Sequence, residues 1–195
     1  MQVLVTGASG FLGRHVVGAL AGRGDGVRGT DRVGARPVEG AGEWIEADLA
    51  SDPIEPLVRG VDAVIHVAGL FDLAAPTDAL HRANVLAAER VADAARRAGV
   101  RRFVHVSSVT VIGRPRRAGV REDEPTRPSR RYERSKLAGE RAVRGVAGLP
   151  LAVVRPSGIY GPHGRYGVAV MAATLALAAA RGRAHRSVRG GPRAS

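Results

Sequence analysis

The stretch Thr6-Gly7-Ala8-Ser9-Gly10-Phe11-Leu12-Gly13 follows a short apolar run, Val3-Leu4-Val5, and leads into a segment where Leu12, Val16, Ala19 and Leu20 recur at helical spacing. That reads as strand, tight turn, helix. Glycines three apart at such a turn each serve a physical purpose. One permits the bend, one lets a pyrophosphate approach the backbone, and one lets helix and strand pack closely. The helix then directs its unpaired N–H groups and positive dipole end at an anion. The spacing Gly7, Gly10, Gly13 differs from the commonest dinucleotide fingerprint, so the turn needs support from the rest of the chain.

Working outward, Gly22 to Gly26 stop the first helix, and Val27 to Thr30 form a second strand ending at Asp31. An acidic residue about twenty positions beyond such a turn accepts hydrogen bonds from the adenine ribose hydroxyls; an ordinary turn aspartate is the alternative. Arg32 beside it offers a contact for a 2′-phosphate. Residues 33 to 42 read as loop, Trp44 to Ala47 as a third strand leading to Asp48-Leu49, and Pro53 to Arg59 as a short helix. Ala63 to Val67 is a near-continuous apolar run suited to a parallel strand covered on both faces, with the small residues Ala68-Gly69 at its carboxyl end. His66 reads as a packed or capping residue in preference to a base, since no nucleophile is visible near it.

The longest helical pattern runs from Leu80 to Ala98, with Leu80, Asn84, Ala87, Ala88, Val91 and Ala95 on one face. Asn84 is the only asparagine in the chain, and a buried amide must find partners. A structural role and a hydrogen-bonding role beside an active site are both open to it. Phe103 to Ser107 is the fifth strand, and Gly113 to Arg131 a long irregular stretch. Tyr132-Glu133-Arg134-Ser135-Lys136 opens a helix to about Val146, and the phenol and ammonium, four residues apart, project from one face. Lys136 is the only lysine among 30 basic residues, which argues for a compact charge that guanidinium cannot supply. Leu151 to Arg155 is a sixth strand, followed by Pro156 and Tyr160-Gly161-Pro162.

Bulk properties bound the class. A chain of 195 residues with 45% hydrophobic and 25% charged content can bury a sizeable core. It has no cysteine, and its six histidines show no metal-ligand pairing, so no metal is expected. With no leader pattern at the N-terminus, the expected compartment is the cytoplasm, and the longest apolar run, 168 to 180, is too short for a bilayer and reads as a buried helix. A net charge of +12 raises a nucleic-acid partner, but the arginines are scattered and aromatics are 4%, which argues against it and against a membrane partner.

Taken together, these motifs resemble the extended short-chain dehydrogenase/reductases, the NAD-dependent epimerase/dehydratase family. The matches are the turn TGASGFLG, Asp31, Asp48-Leu49, His66 to Gly69, Asn84-Val85, Val106-Ser107-Ser108, the Tyr132 and Lys136 pair, Arg155-Pro156 and Tyr160-Gly161-Pro162, in family order across residues 1 to about 165. The resemblance implies an α/β, Rossmann-like doubly wound parallel sheet with helices on both faces. It implies NAD as cofactor, with NADP as the alternative, held by Gly7, Gly10, Phe11, Leu12, Gly13, Asp31, Arg32, Asp48, Leu49, Val67, Ala68, Gly69, Asn84, Tyr132, Lys136 and Pro156. Tyr132 would be general acid/base, Lys136 would hold the nicotinamide ribose, and Ser108 would hydrogen-bond the reacting oxygen. The ammonium and an oxidised nicotinamide would favour the phenolate.

The implied substrate is a small molecule, a nucleotide sugar or a related hydroxyl compound. A 3-beta-hydroxysteroid dehydrogenase or dihydroflavonol-reductase-like reductase is the alternative, which Gly69 to Leu73 and Ile112 leave open, as is a non-catalytic dinucleotide-binding fragment. A homodimer is compatible with the family. Family members run longer, and the last stretch, 181 to 195, carries five arginines and no acid. The expectation is a Rossmann domain over 1 to 165, a helical remnant of the substrate domain over 166 to 180, and a basic, disordered tail in a truncated or frameshifted product.

Overall fold

In the computed structural model, residues 1–114 and 119–164 are described. They fall in two units, Met1–Ser157 and one beginning at Gly158. The first unit carries six parallel strands: β1 (Gln2–Thr6), β2 (Gly26–Asp31), β3 (Glu43–Glu46), β4 (Ala63–His66), β5 (Arg102–Val106) and β6 (Leu151–Val154). Their order is β3-β2-β1-β4-β5-β6, and every pairing is parallel. This is the doubly wound arrangement, in which strand order reverses between β1 and β4 and opens a crevice at their carboxyl ends.

Side-chain alternation divides the core between the two faces of the sheet. Val3, Val5, Val27 and Ala63 pack with Val17 of α1 (Phe11–Gly22). Leu4, Val64 and Phe103 pack with α2 (Glu55–Val58), α4 (Ala87–Arg97) and Val143 of α5 (Arg131–Gly145). Helices therefore cover both faces, as expected. The short helix read over 53 to 59 is a single turn, α2, and the chain through Gly113 to Arg131 forms no helix or strand among its described residues before α5 begins.

Two elements differ from the sequence pattern. The helix read from Leu80 to Ala98 begins earlier, as α3 (Thr77–His81), and widens into a π turn over Arg82–Leu86 before continuing as α4. The apolar stripe survives: Leu80, Asn84, Ala87, Ala88, Val91 and Ala95 are all buried. Against this turn, α5 packs through Gly139, where a Cβ would collide with the Asn84 carbonyl oxygen. A 3-10 turn over Val109–Ile112 also follows β5, and the Ser108 side chain caps it by accepting from the Thr110 amide. The helix expected within 166 to 180 and the tail at 181 to 195 lie outside the described residues.

Beneath the α4 and α5 face runs a buried polar row. Register sets Thr6 beside His66 and His66 beside His105. His66 is 2.9 Å from the Thr6 hydroxyl through Nδ1 and stacks on His105 and Phe103, so it is a packed histidine. Burial holds both imidazoles neutral, His66 well below its ordinary range and His105 down to about 3. In the unfolded chain each takes up a proton near ~6.5. Stability from these sites is therefore full above that pH and is lost as pH falls towards the folded values. The urea midpoint should drop between about pH 7 and about pH 5, and His105→Gln should flatten the dependence. An unchanged slope in that variant would contradict the assignment.

Candidate functional site

The carboxyl ends of the six strands gather the residues singled out from the sequence. After β1, the backbone at Gly7 takes φ +65, and a Cβ there would stand 2.7 Å from Ala68 Cα, so the turn lies directly against the end of β4. At Gly13 a Cβ would overlap the Gly7 carbonyl oxygen and approach Ala8 Cα to 2.8 Å. Helix α1 thus starts in contact with the turn that precedes it. The inner amides of the turn build it: Ala8 N donates to Thr30 O, Ser9 N to Asp31, and Gly10 N to Gly7 O. Phe11 and Leu12 open the helix, and their amides have no intrahelical acceptor by helix geometry. Gly10 caps the helix without a side-chain bond, and its first turn carries no acid. The result is a cradle for an anion such as a diphosphate.

Asp31 closes β2, where expected, but its carboxylate is engaged by the protein. Oδ2 accepts from the Ser9 amide at 3.0 Å and the Ser9 hydroxyl at 2.7 Å, and Oδ1 accepts from the Arg32 amide. Arg32 itself is exposed. Ser9, which the motif reading passed over, therefore ties the glycine turn to β2, and Arg14 braces it by donating to Ser9 O at 2.8 Å. Their signal was weak: one small polar residue inside the turn and one arginine after it.

Beyond β3, Asp48 accepts from Arg82 at 2.7 Å and from the Ala50 amide. The Arg82 hydrogen bond, aided by that amide, holds the Asp48 carboxyl below its ordinary range. Leu49 beside it is buried. Val67 and Ala68 are half-buried beyond β4, and Gly69 is exposed. Asn84 reaches this segment from the π turn: Oδ1 accepts from Leu70 N at 2.7 Å, and Nδ2 donates to Leu70 O at 3.1 Å and to Ser135 Oγ at 2.9 Å. Its amide is spent on the protein, clamping the chain after Gly69 to the residue before Lys136. Of the two roles open to Asn84, the geometry favours the structural one, exercised beside the site.

Where β5 meets α5, Tyr132 hydrogen-bonds with Ser108, and Lys136, one turn further along α5, reaches the end of β5. The Ser108 hydroxyl accepts from the Thr110 amide and hydroxyl. Tyr132 is half-buried and meets the Phe71 ring edge-on at 4.9 Å. Lys136 is 5% exposed, and Nζ donates to Val106 O at 2.8 Å. Burial brings its pKa down to about 8 against the opposing charge of Glu140. Pro156 follows β6, and its carbonyl accepts from the Val109 amide.

The phenol of Tyr132 is raised above its ordinary value, because burial outweighs hydrogen bonding with Ser108. The ammonium expected to favour the phenolate is directed at the Val106 carbonyl.

Comparison with known proteins agrees with this arrangement. The chain is 32% identical over 201 residues to a UDP-glucose 4-epimerase of Mycolicibacterium smegmatis, covering 91% of this chain and 64% of that protein. It is 36% identical over 175 residues to a 3 beta-hydroxysteroid dehydrogenase/Delta 5-->4-isomerase of Mycobacterium tuberculosis, covering 82% of this chain and 47% of that one. The structure of MoeE5 in complex with UDP-glucose and NAD superimposes with a TM-score of 0.73 at 34% identity, over 85% of this chain and 57% of that one. This chain thus spans about half to two thirds of the length of these proteins. The pattern of the NAD dependent epimerase/dehydratase family matches residues 3–191, and with the glycine turn, the strand order and the Tyr132 and Lys136 pair in place, the chain belongs to that family.

Proposed function

We propose that the chain is the cofactor-binding and proton-transfer part of an NAD-dependent oxidoreductase-type enzyme acting on a carbon that bears a hydroxyl or carbonyl, in a nucleotide sugar or a related compound. The observation that carries this reading is the pairing of Tyr132 with Ser108 beside buried Lys136, which reaches the end of β5, together with a helix N-terminus after β1 that carries no side-chain cap. Bound nicotinamide supplies the hydride acceptor or donor. The chain does the rest. Amides at the start of α1 take the diphosphate, and Asp31 takes the adenine ribose through its remaining lone pairs. Lys136 holds the nicotinamide ribose. Ser108 holds the reacting oxygen, and Tyr132 moves the proton on that oxygen. Burial keeps the phenol protonated, which suits it to donate to a carbonyl; removing a proton from a hydroxyl requires the nearby ammonium to offset that burial.

A second reading, an apolar hydroxyl or keto compound of the steroid-dehydrogenase or flavonoid-reductase type, is favoured by one observation. Phe71 is exposed and lies edge-on against Tyr132, so the approach to the phenol is flanked by an apolar ring. Turnover of the purified chain with NAD and either UDP-glucose or a 3-beta-hydroxysteroid separates the two. Saturable cofactor binding with neither substrate turned over would support a non-catalytic dinucleotide-binding module instead.

The tie between Asp31 and the glycine turn sharpens the expectation for the ribose. Asp31→Ala should weaken NAD more than NADP, because it removes a ribose acceptor and also a charge that repels a 2′-phosphate beside Arg32. Calorimetric titration with each dinucleotide reads this directly, and equal losses would remove the ribose role.

A further inference from the structure

We infer that Glu140, gripped by Arg155, is the positioning residue that keeps Lys136 charged. It lies one helical turn beyond Lys136 on α5, so the two side chains share a face. Glu140 is 1% exposed, and both its oxygens are taken by one guanidinium: Arg155 Nε reaches Oε1 at 2.8 Å and Nη2 reaches Oε2 at 2.8 Å. Arg155 directly follows β6 and also donates to Glu122 O at 3.0 Å. The carboxylate is thereby locked in place between α5 and the end of the sheet.

Burial alone would push the Glu140 carboxyl up, but the Arg155 hydrogen bonds outweigh it, so the group is held below its ordinary range and stays charged. Among the described residues, Glu140 is the anion that acts on Lys136. From β4 and β5 come His66 and His105, both held neutral by burial, and from α5 comes Glu140; the cations Arg144 and Arg155 act on Glu140 itself. Lys136 has carbonyl support from Val106 for one N–H, and the Glu140 charge opposes the desolvation that would otherwise neutralise it. A bidentate clamp that merely fastened β6 to α5 would have no bearing on lysine. Its position one turn from the ammonium gives it one.

The test uses the fact that Lys136 is the only lysine. The chain labelled with 13C-lysine gives one Cε resonance, whose pH titration reads this ammonium alone. The wild-type midpoint should lie near 8. In Glu140→Gln it should fall by about one pH unit or more. Because that variant leaves a guanidinium without its carboxylate, Glu140→Met combined with Arg155→Met provides a form with neither buried charge, and it should show a smaller fall in the same direction. An unchanged midpoint in folded variants would overturn the inference and leave the pair as a strut. The inference rests on the cofactor-side reading of Lys136 for its meaning, and NADH titration of the wild-type chain tests that reading separately: a shifted lysine midpoint without NADH binding would sink the proposed function alone.

Discussion

Tyr132→Phe is expected to reduce hydride transfer by about 10²- to 10⁴-fold while leaving NADH affinity unchanged. The substitution removes one oxygen and keeps the ring, so the edge-on contact with Phe71 persists. Helix α5 should also persist, because its anchors lie elsewhere: Lys136 on the Val106 carbonyl, Ser135 on Asn84, and Glu140 on Arg155. What disappears is the proton donor at the reacting oxygen. The affinity should hold because the phosphate cradle and Asp31 lie on β1, α1 and β2, away from the phenol. Retained turnover in a folded Tyr132→Phe chain would remove Tyr132 as the acid/base.

Gly13→Ala should be strongly damaging for a single added methyl group. The added Cβ overlaps the Gly7 carbonyl oxygen and stands 2.8 Å from Ala8 Cα, and both neighbours are backbone, so neither can rotate aside. The start of α1 must move away from the turn, at a cost of about 3 kcal/mol. That movement also displaces the amides of Phe11 and Leu12, so NADH binding should weaken along with stability. Gly18→Ala is the matching control in the same helix: nothing lies within 4 Å of its Cβ position, and the change should stabilise by about 0.8 kcal/mol. Urea denaturation and NADH titration of both variants check this, and a Gly13→Ala chain as stable as wild type would contradict the packing described.

The sheet was legible because its signals are local. Val3-Leu4-Val5 and Ala63 to His66 are apolar runs bounded by glycine, and their order with intervening helices implies parallel strands covered on both faces. The glycine turn, Asp31 and the Tyr132 and Lys136 pair stood out through spacing, whereas Ser108 entered through the family resemblance. What was hidden depends on contacts between distant residues. The π turn at Arg82–Leu86 leaves the buried stripe intact, so periodicity cannot distinguish it from an ordinary helix; it is expressed in the packing of Gly139 against Asn84. Glu140 and Arg155 are separated by a turn and a strand, and their pairing exists only once β6 lies beside β5. The upward shift of the Tyr132 phenol has the same origin: sequence shows the neighbouring lysine, whereas the degree of burial, which dominates, is a property of the folded chain.

The central claim is that the turn from Gly7 to Gly13 and the Tyr132 and Lys136 face of α5 form one cofactor site within this chain. Titration of the purified chain with NADH, followed by the fluorescence of the reduced nicotinamide, tests it most directly. Saturable binding that survives Tyr132→Phe and is weakened in Gly13→Ala is the predicted result. A folded wild-type chain that shows no saturable binding would contradict it.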